Sequence, residues 1–253
     1  MVLALLPALV ASLVTVALAL GAVLARALTP VAGAVATVFG IVIVVTAGFA
    51  FLVLLILFVV ASVIVTRYRI DEKREKHLQE GSAGERGVSN VVAHIVVPTA
   101  LAIGTGWVPP LWSGPDGGVL YISALAFGAA DTFASELGVL AGRARSILTF
   151  RPVSPGTNGG VSGPGEVWAL LGALTTGVIG YLACLLFSTP TFSALFVVGV
   201  ATVAGFVACQ IDSVLGEALE NRGYLNKHST NFLGMISAVG IAAACLAAGG
   251  LIR

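Results

Sequence analysis

Eight apolar runs, each about the length of a membrane-crossing helix, fill most of this 253-residue chain: roughly 2–24, 30–46, 48–66, 91–112, 119–140, 167–188, 191–211 and 231–252. A spanning helix needs about 20 apolar residues. In lipid every backbone polar group must be satisfied within the segment, so runs of this kind read as helices. Composition agrees. The chain is 58% hydrophobic and only 10% charged, with a mean hydropathy of +1.04, whereas soluble domains carry about 25% charged residues. The expected fold class is all-α: a polytopic membrane helix bundle of about eight spanning helices, forming a single domain over 1–253. The apolar stretch Met1–Leu20 lacks a positive n-region and reads as a spanning helix, not a cleaved signal. The least defined boundary lies at Thr46–Gly48, where the second and third runs nearly merge into one kinked hairpin.

Orientation follows from lysine and arginine. With the spans alternating and 67–90 placed in the cytoplasm, twelve of the thirteen basic residues fall inside and only Arg253 falls outside. That asymmetry satisfies the positive-inside rule. Both termini then face out, the outer connections are short (113–118 and 188–190), and Trp107 and Trp112 mark an interface. The protein is expected in a membrane, most simply a prokaryotic cell membrane, with its polar face cytoplasmic. A net charge of +1 suggests no nucleic-acid partner. Cys184, Cys209 and Cys245 have no paired or metal-ligand spacing.

Three cytoplasmic segments carry nearly all the polar character: 67–90, 141–166 and 212–230. The first mixes both signs and reads mainly as a solvated helix with Asp71–Glu75 and Glu72–Lys76 at i,i+4. The fifth span ends in Asp131-Thr132-Phe-Ala-Ser135-Glu136-Leu-Gly138. Helical periodicity puts Asp131, Thr132, Ser135 and Glu136 on one face, with Gly128 and Gly138 admitting a neighbouring backbone. Carboxylates within an apolar span are costly and point to function. The seventh span ends in Asp212-Ser213-Val-Leu-Gly216-Glu217, the same pattern of Asp, hydroxyl, two apolar residues, small residue and Glu. Both spans run in the same direction, so this weak repeat delivers two acidic faces to one depth. Mg2+ suits such a place, since it takes one or two carboxylates together with substrate phosphates.

Between the two acidic ends lies a Gly/Pro-rich loop, Arg151-Pro-Val-Ser154-Pro155-Gly156-Thr157-Asn158-Gly159-Gly160-Val161-Ser162. Its glycines let amides turn toward an anion, and a helix N-terminus follows. Arg151 is placed to clamp a phosphate oxygen. Beyond Asp212, the polar run 221–231 brings His228 and Asn231 to the mouth of the last span. Asn90 sits at a helix start, and His94 follows within the fourth span.

At these residues the chain resembles the integral-membrane family that includes plant phytyl-phosphate kinase and animal transmembrane protein 19. The motifs that carry the resemblance are Ala130–Gly138, Arg151–Ser162 and Asp212–Gly216, supported by Arg86–Ala93, and the likeness runs from about Leu28 to the end. The family tends to have Lys where Arg151 stands and Asn near His94. The resemblance implies phosphoryl transfer from a nucleoside triphosphate, CTP or ATP, to a polyprenyl monophosphate, giving the diphosphate. It implies Asp131 and Asp212 as Mg2+ ligands, Glu136 and Glu217 as further ligands or their supports, and 151–162 as the phosphate cradle. Arg86 and Arg151 offset charge, and Asn90, Ser135, Ser213, His228 and Asn231 complete the binding set. The alternatives are a CTP-dependent nucleotidyltransferase acting on a lipid phosphate and a membrane transporter.

Overall fold

The computed structural model describes residues 2–79, 84–107, 115–187 and 192–251. The expected outer connections fall largely outside these residues, as do Trp112 and Arg253. Among the described residues, nine α-helices appear in order: α1 (Val2–Leu24), α2 (Pro30–Ala47), α3 (Phe49–Arg67), α4 (Ile70–Glu75), α5 (Val88–Trp107), α6 (Pro115–Gly138), α7 (Gly163–Phe187), α8 (Ala194–Leu215) and α9 (Lys227–Leu251). Among the described residues, seven helices are long and apolar enough to cross a membrane, and Leu9–Leu24 of α1 adds a shorter apolar helix. The helical-bundle reading is borne out.

Local chemistry sets the boundaries. Thr29 caps α2, its side chain accepting from Ala32 N–H at 3.3 Å, and Pro30 follows at the first helical position. Both features favour a helix start. Gly48 then takes φ +90 and separates α2 from α3, a backbone region that glycine enters at little cost. Two helices stand where a kinked hairpin was conceivable.

One helix is the core. In the most apolar stretch of the span Gly117–Ala141, which takes in most of α6, 83% of the residues are buried, against 22–50% in the other spans. The chain achieves this with small residues that let backbones touch, the usual packing device between helices in lipid. A Cβ on Gly172 of α7 would lie 2.7 Å from Ala129 O, and one on Gly205 of α8 would lie 2.8 Å from the Ala126 carbonyl carbon. Gly234 of α9 makes room for the Phe127 ring. Large apolar side chains such as Leu195 and Leu186 point outward, as a lipid-facing surface requires.

Among the described residues the strands fall in the segment 141–166, apart from an isolated bridge between Leu28 and Arg86. Three short strands, β1 (Ala144–Ser146), β2 (Pro152–Val153) and β3 (Gly160–Val161), form an antiparallel sheet in the order β2-β1-β3. Arg145 of β1 faces Pro152 on one side and Val161 on the other. What reads as a Gly/Pro-rich connector is a folded cap between α6 and α7.

Candidate functional site

A cavity of about 360 Å³ lies at one end of the bundle. The C-terminal ends of α6 and α8 and the N-terminal ends of α7 and α9 surround it, and parts of all three polar segments reach it. Asp131 and Asp212 both line it and lie close enough to interact electrostatically. The repeat therefore delivers its two aspartates to one place. Asp212 Oδ1 is buried without a hydrogen-bond partner among the described residues. A buried acceptor left unpaired costs about 1–3 kcal/mol, more when charged, so this oxygen marks a place where a ligand is expected. Lys227, the first residue of α9, also lines the cavity and lies within electrostatic reach of Asp212.

The two glutamates of the repeat each hold a side-chain partner. Glu136 is 7% exposed and accepts from Lys73 Nζ at 2.6 Å. Lys73 is fully buried and also donates to the carbonyls of Val65 and Thr66 at the end of α3. Glu217 accepts from Ser146 Oγ–H at 2.6 Å and from Leu148 N–H at 3.2 Å. Each glutamate thus pins one polar segment to the bundle: Glu136 holds α4, and Glu217 holds the β1 hairpin. Glu136 still borders the cavity, whereas Glu217 is absent from its lining.

The loop forms the facing wall. Thr157, Asn158, Gly159, Gly160 and Ser162 line the cavity, with Ser135 and Ser213 on the helix side. Gly159 has φ +76, and a Cβ there would lie 2.4 Å from Glu217 Cβ and 2.9 Å from Ser213 O. Only glycine fits, because the loop rests on the end of α8. That end unwinds into a π turn over Gly216–Glu220, closed by Asn221 N–H donating to Gly216 O. Asn221 Nδ2 also donates to Asn158 O at 3.1 Å. Gly138 and Gly165 bring α6 and α7 into backbone contact, a Cβ on Gly138 falling 2.8 Å from Gly165 Cα. Gly128 differs from expectation: it faces the Phe58 ring, not a backbone. Ser162 Oγ accepts from Gly165 N–H at the start of α7. Glu166 follows in the lining, its carboxylate accepting from Gln210 Nε2 at 2.8 Å.

Not every expected residue gathers here. Arg151 is exposed and lies outside the cavity lining, as does His228. Asn231 lines the cavity and donates from Nδ2 to His94 Nε2 at 3.3 Å. His94 Nδ1 is 2.9 Å from Asn90 O. A carbonyl only accepts, so Nδ1 carries the proton and Nε2 is the acceptor. Arg86 and Asn90 border a second, apolar cavity behind this bond. Lys73 and Glu166 were not legible as site residues. Lys73 sits in a mixed-charge segment that resembles a solvated helix, and nothing in its spacing announces Glu136, 63 residues away.

Among the described residues no group of three His, Cys, Asp or Glu side chains converges as a metal site. A cation here would rest on two carboxylates and on ligands that a substrate brings.

Fold and site together define a polytopic membrane protein with an acidic, loop-capped cavity at one bundle end. The chain belongs to the family described as integral membrane protein DUF92, whose model matches residues 13–238. It is 31% identical over 205 residues to an uncharacterized membrane protein of Methanocaldococcus jannaschii, covering 79% of this chain and 78% of the relative. It is 32% identical over 197 residues to Protein PGR of Arabidopsis thaliana (71% and 67%) and 33% identical over 229 residues to an uncharacterized membrane protein of Synechocystis (86% and 84%). No solved structure matches. The resemblance drawn from the three motifs is thereby borne out as family membership.

Proposed function

We propose that the protein is a Mg2+-dependent polyprenyl-phosphate kinase, moving the terminal phosphoryl group of a nucleoside triphosphate onto a prenyl monophosphate to give the diphosphate. The observation that carries this reading is the pairing of Asp131 and Asp212 in one cavity whose opposite wall is the glycine-rich loop. The donor set fits Mg2+: hard carboxylate oxygens, one of them buried and unpartnered, with phosphates left to complete the coordination. When bound, the ion offsets the charge of two approaching phosphates.

The chain's own residues do the rest. Thr157, Asn158 and Ser162 supply polar groups to the donor phosphates, and Lys227 faces them across the cavity. The acceptor is a phosphate monoester with a second pKa of about 6, already mostly dianionic at neutral pH. No general base is needed, and catalysis reduces to positioning and electrostatics. The cavity's place at a bundle end lets the phosphate reach it while the chain stays among the helices. The basic-residue asymmetry supports a cytoplasmic placement of this end, where nucleotides are found.

Substitution tests the reading. Asp131→Asn and Asp212→Asn should each lower turnover by about a hundredfold or more, with the protein still eluting as wild type from a sizing column. Wild-type turnover in either folded variant contradicts it.

A further inference from the structure

A second cavity of about 160 Å³ lies between α1, α2, α3 and α5. Its walls are almost wholly apolar, and the lining positions on α3 run from Leu52 to Val60, about 12 Å along that helix. Two of its lining residues, Leu18 and Val60, are also among the outward-facing apolar side chains, 45% and 48% exposed. The cavity thus opens sideways between α1 and α3, toward lipid.

Its inner end is polar. Arg86 is buried there, donating to Asn90 Oδ1 at 3.2 Å and Thr66 Oγ1 at 3.4 Å. Its backbone is pinned as well: Arg86 N–H donates to Ala27 O, and Thr29 N–H donates to Arg86 O. Beside it stands His94, which accepts from Asn231, a residue of the aspartate cavity. A cationic group at the polar end of an apolar, lipid-open slot suits a single hydrocarbon chain that ends in an anion. The His94–Asn231 bond forms the partition between that anion and the aspartates.

We propose that this slot receives the isoprenoid chain of the lipid monophosphate, entering past Leu18 and Val60, with the phosphate led by Arg86 past His94 and Asn231 into the aspartate cavity. The assignment of the chain as the acceptor's rests on the kinase reading above. The slot itself rests on its shape, its lateral opening and the buried Arg86.

The test uses the full chain in lipid nanodiscs and a geranylgeranyl monophosphate carrying a diazirine in its third isoprene unit. Irradiation should label residues of α1, α2 and α3 that line the slot, and unlabelled geranylgeranyl monophosphate should compete. Geranylgeraniol should compete at least tenfold less well, and Arg86→Gln should erase that preference. Ala36→Phe, which fills the slot from α2, should abolish labelling and raise the KM for geranylgeranyl monophosphate at least tenfold. It should leave turnover of dimethylallyl monophosphate, too short to fill the slot, unchanged. Ala19→Phe repeats the test from α1 in case the first variant misfolds, and the wild-type labelling map stands without either. Labels confined to residues outside the slot, or an unchanged KM in a folded filled variant, overturn the proposal. Saturable labelling of the slot by a protein that transfers no phosphoryl group supports the lipid site and defeats the kinase reading. Transfer with labels elsewhere does the reverse.

Discussion

Lys73→Met is the sharpest perturbation of the architecture that holds the site. Lys73 is fully buried, with Nζ 2.6 Å from Glu136 Oε2 and 3.1 and 3.0 Å from the carbonyls of Val65 and Thr66. At that separation two unit charges attract by about 6 kcal/mol at an effective dielectric constant near 20. Desolvation offsets much of this in the intact pair. Removing one partner, however, leaves the other charge buried alone, at a typical cost of about 3–5 kcal/mol. The variant also strips a donor from two carbonyls at the end of α3. Reversible denaturation in mixed micelles, followed by circular dichroism, should show a loss of about 3–5 kcal/mol. Lys73→Met with Glu136→Gln should recover most of it, because no lone charge remains. Glu72→Gln serves as a control: Lys76 and Arg69 pull the Glu72 carboxyl below its usual range, but these pairs are exposed and screened, and its removal should not register. A Lys73→Met protein within about 1 kcal/mol of wild type would refute the claim that this pair fastens α4 to the bundle.

Other outcomes follow from the same geometry. Gly159→Ala combines a positive φ with a collision against Glu217 and should destabilise the loop by about 2 kcal/mol or more, read as faster tryptic cleavage at Arg145 or Arg151. Glu217→Ala removes the acceptor for Ser146 and Leu148 and should free the β1 hairpin to the same protease, at a cost of about 1–2 kcal/mol. Arg151→Gln should retain most of its turnover, since that side chain is exposed and outside the cavity lining. A large loss there would mean that the loop closes further over a bound nucleotide.

The helices were legible because lipid imposes one strong constraint, and runs of about 20 apolar residues have few other uses. Boundaries moved by a few residues where helices extend into the polar end: α7 begins at Gly163 and α9 at Lys227, ahead of the apolar runs. The meeting of Asp131 with Asp212 was legible from the repeat, because both positions lie at corresponding depths of helices running the same way. The fate of the glutamates was not. Glu136 and Glu217 follow their aspartates at the same spacing, yet each finds a partner fixed by tertiary packing, Lys73 in one case and Ser146 in the other. The strands of 141–166 are two or three residues long and leave no periodicity to read. The split of the expected binding set into two cavities was equally hidden, since Arg86 and Asn90 differ from Asn231 only in which side of the His94 bond they occupy.

On the kinase reading, the Asp131–Asp212 cavity transfers a phosphoryl group to a lipid phosphate. The most direct measurement incubates the purified protein with Mg2+, geranylgeranyl or phytyl monophosphate, and ATP or CTP labelled at the γ-phosphate. Label recovered in a lipid diphosphate, absent in Asp131→Asn, is the predicted result and names the donor. Pyrophosphate release from CTP with an unlabelled, nucleotide-linked lipid, or no product at all from a folded protein, would contradict it.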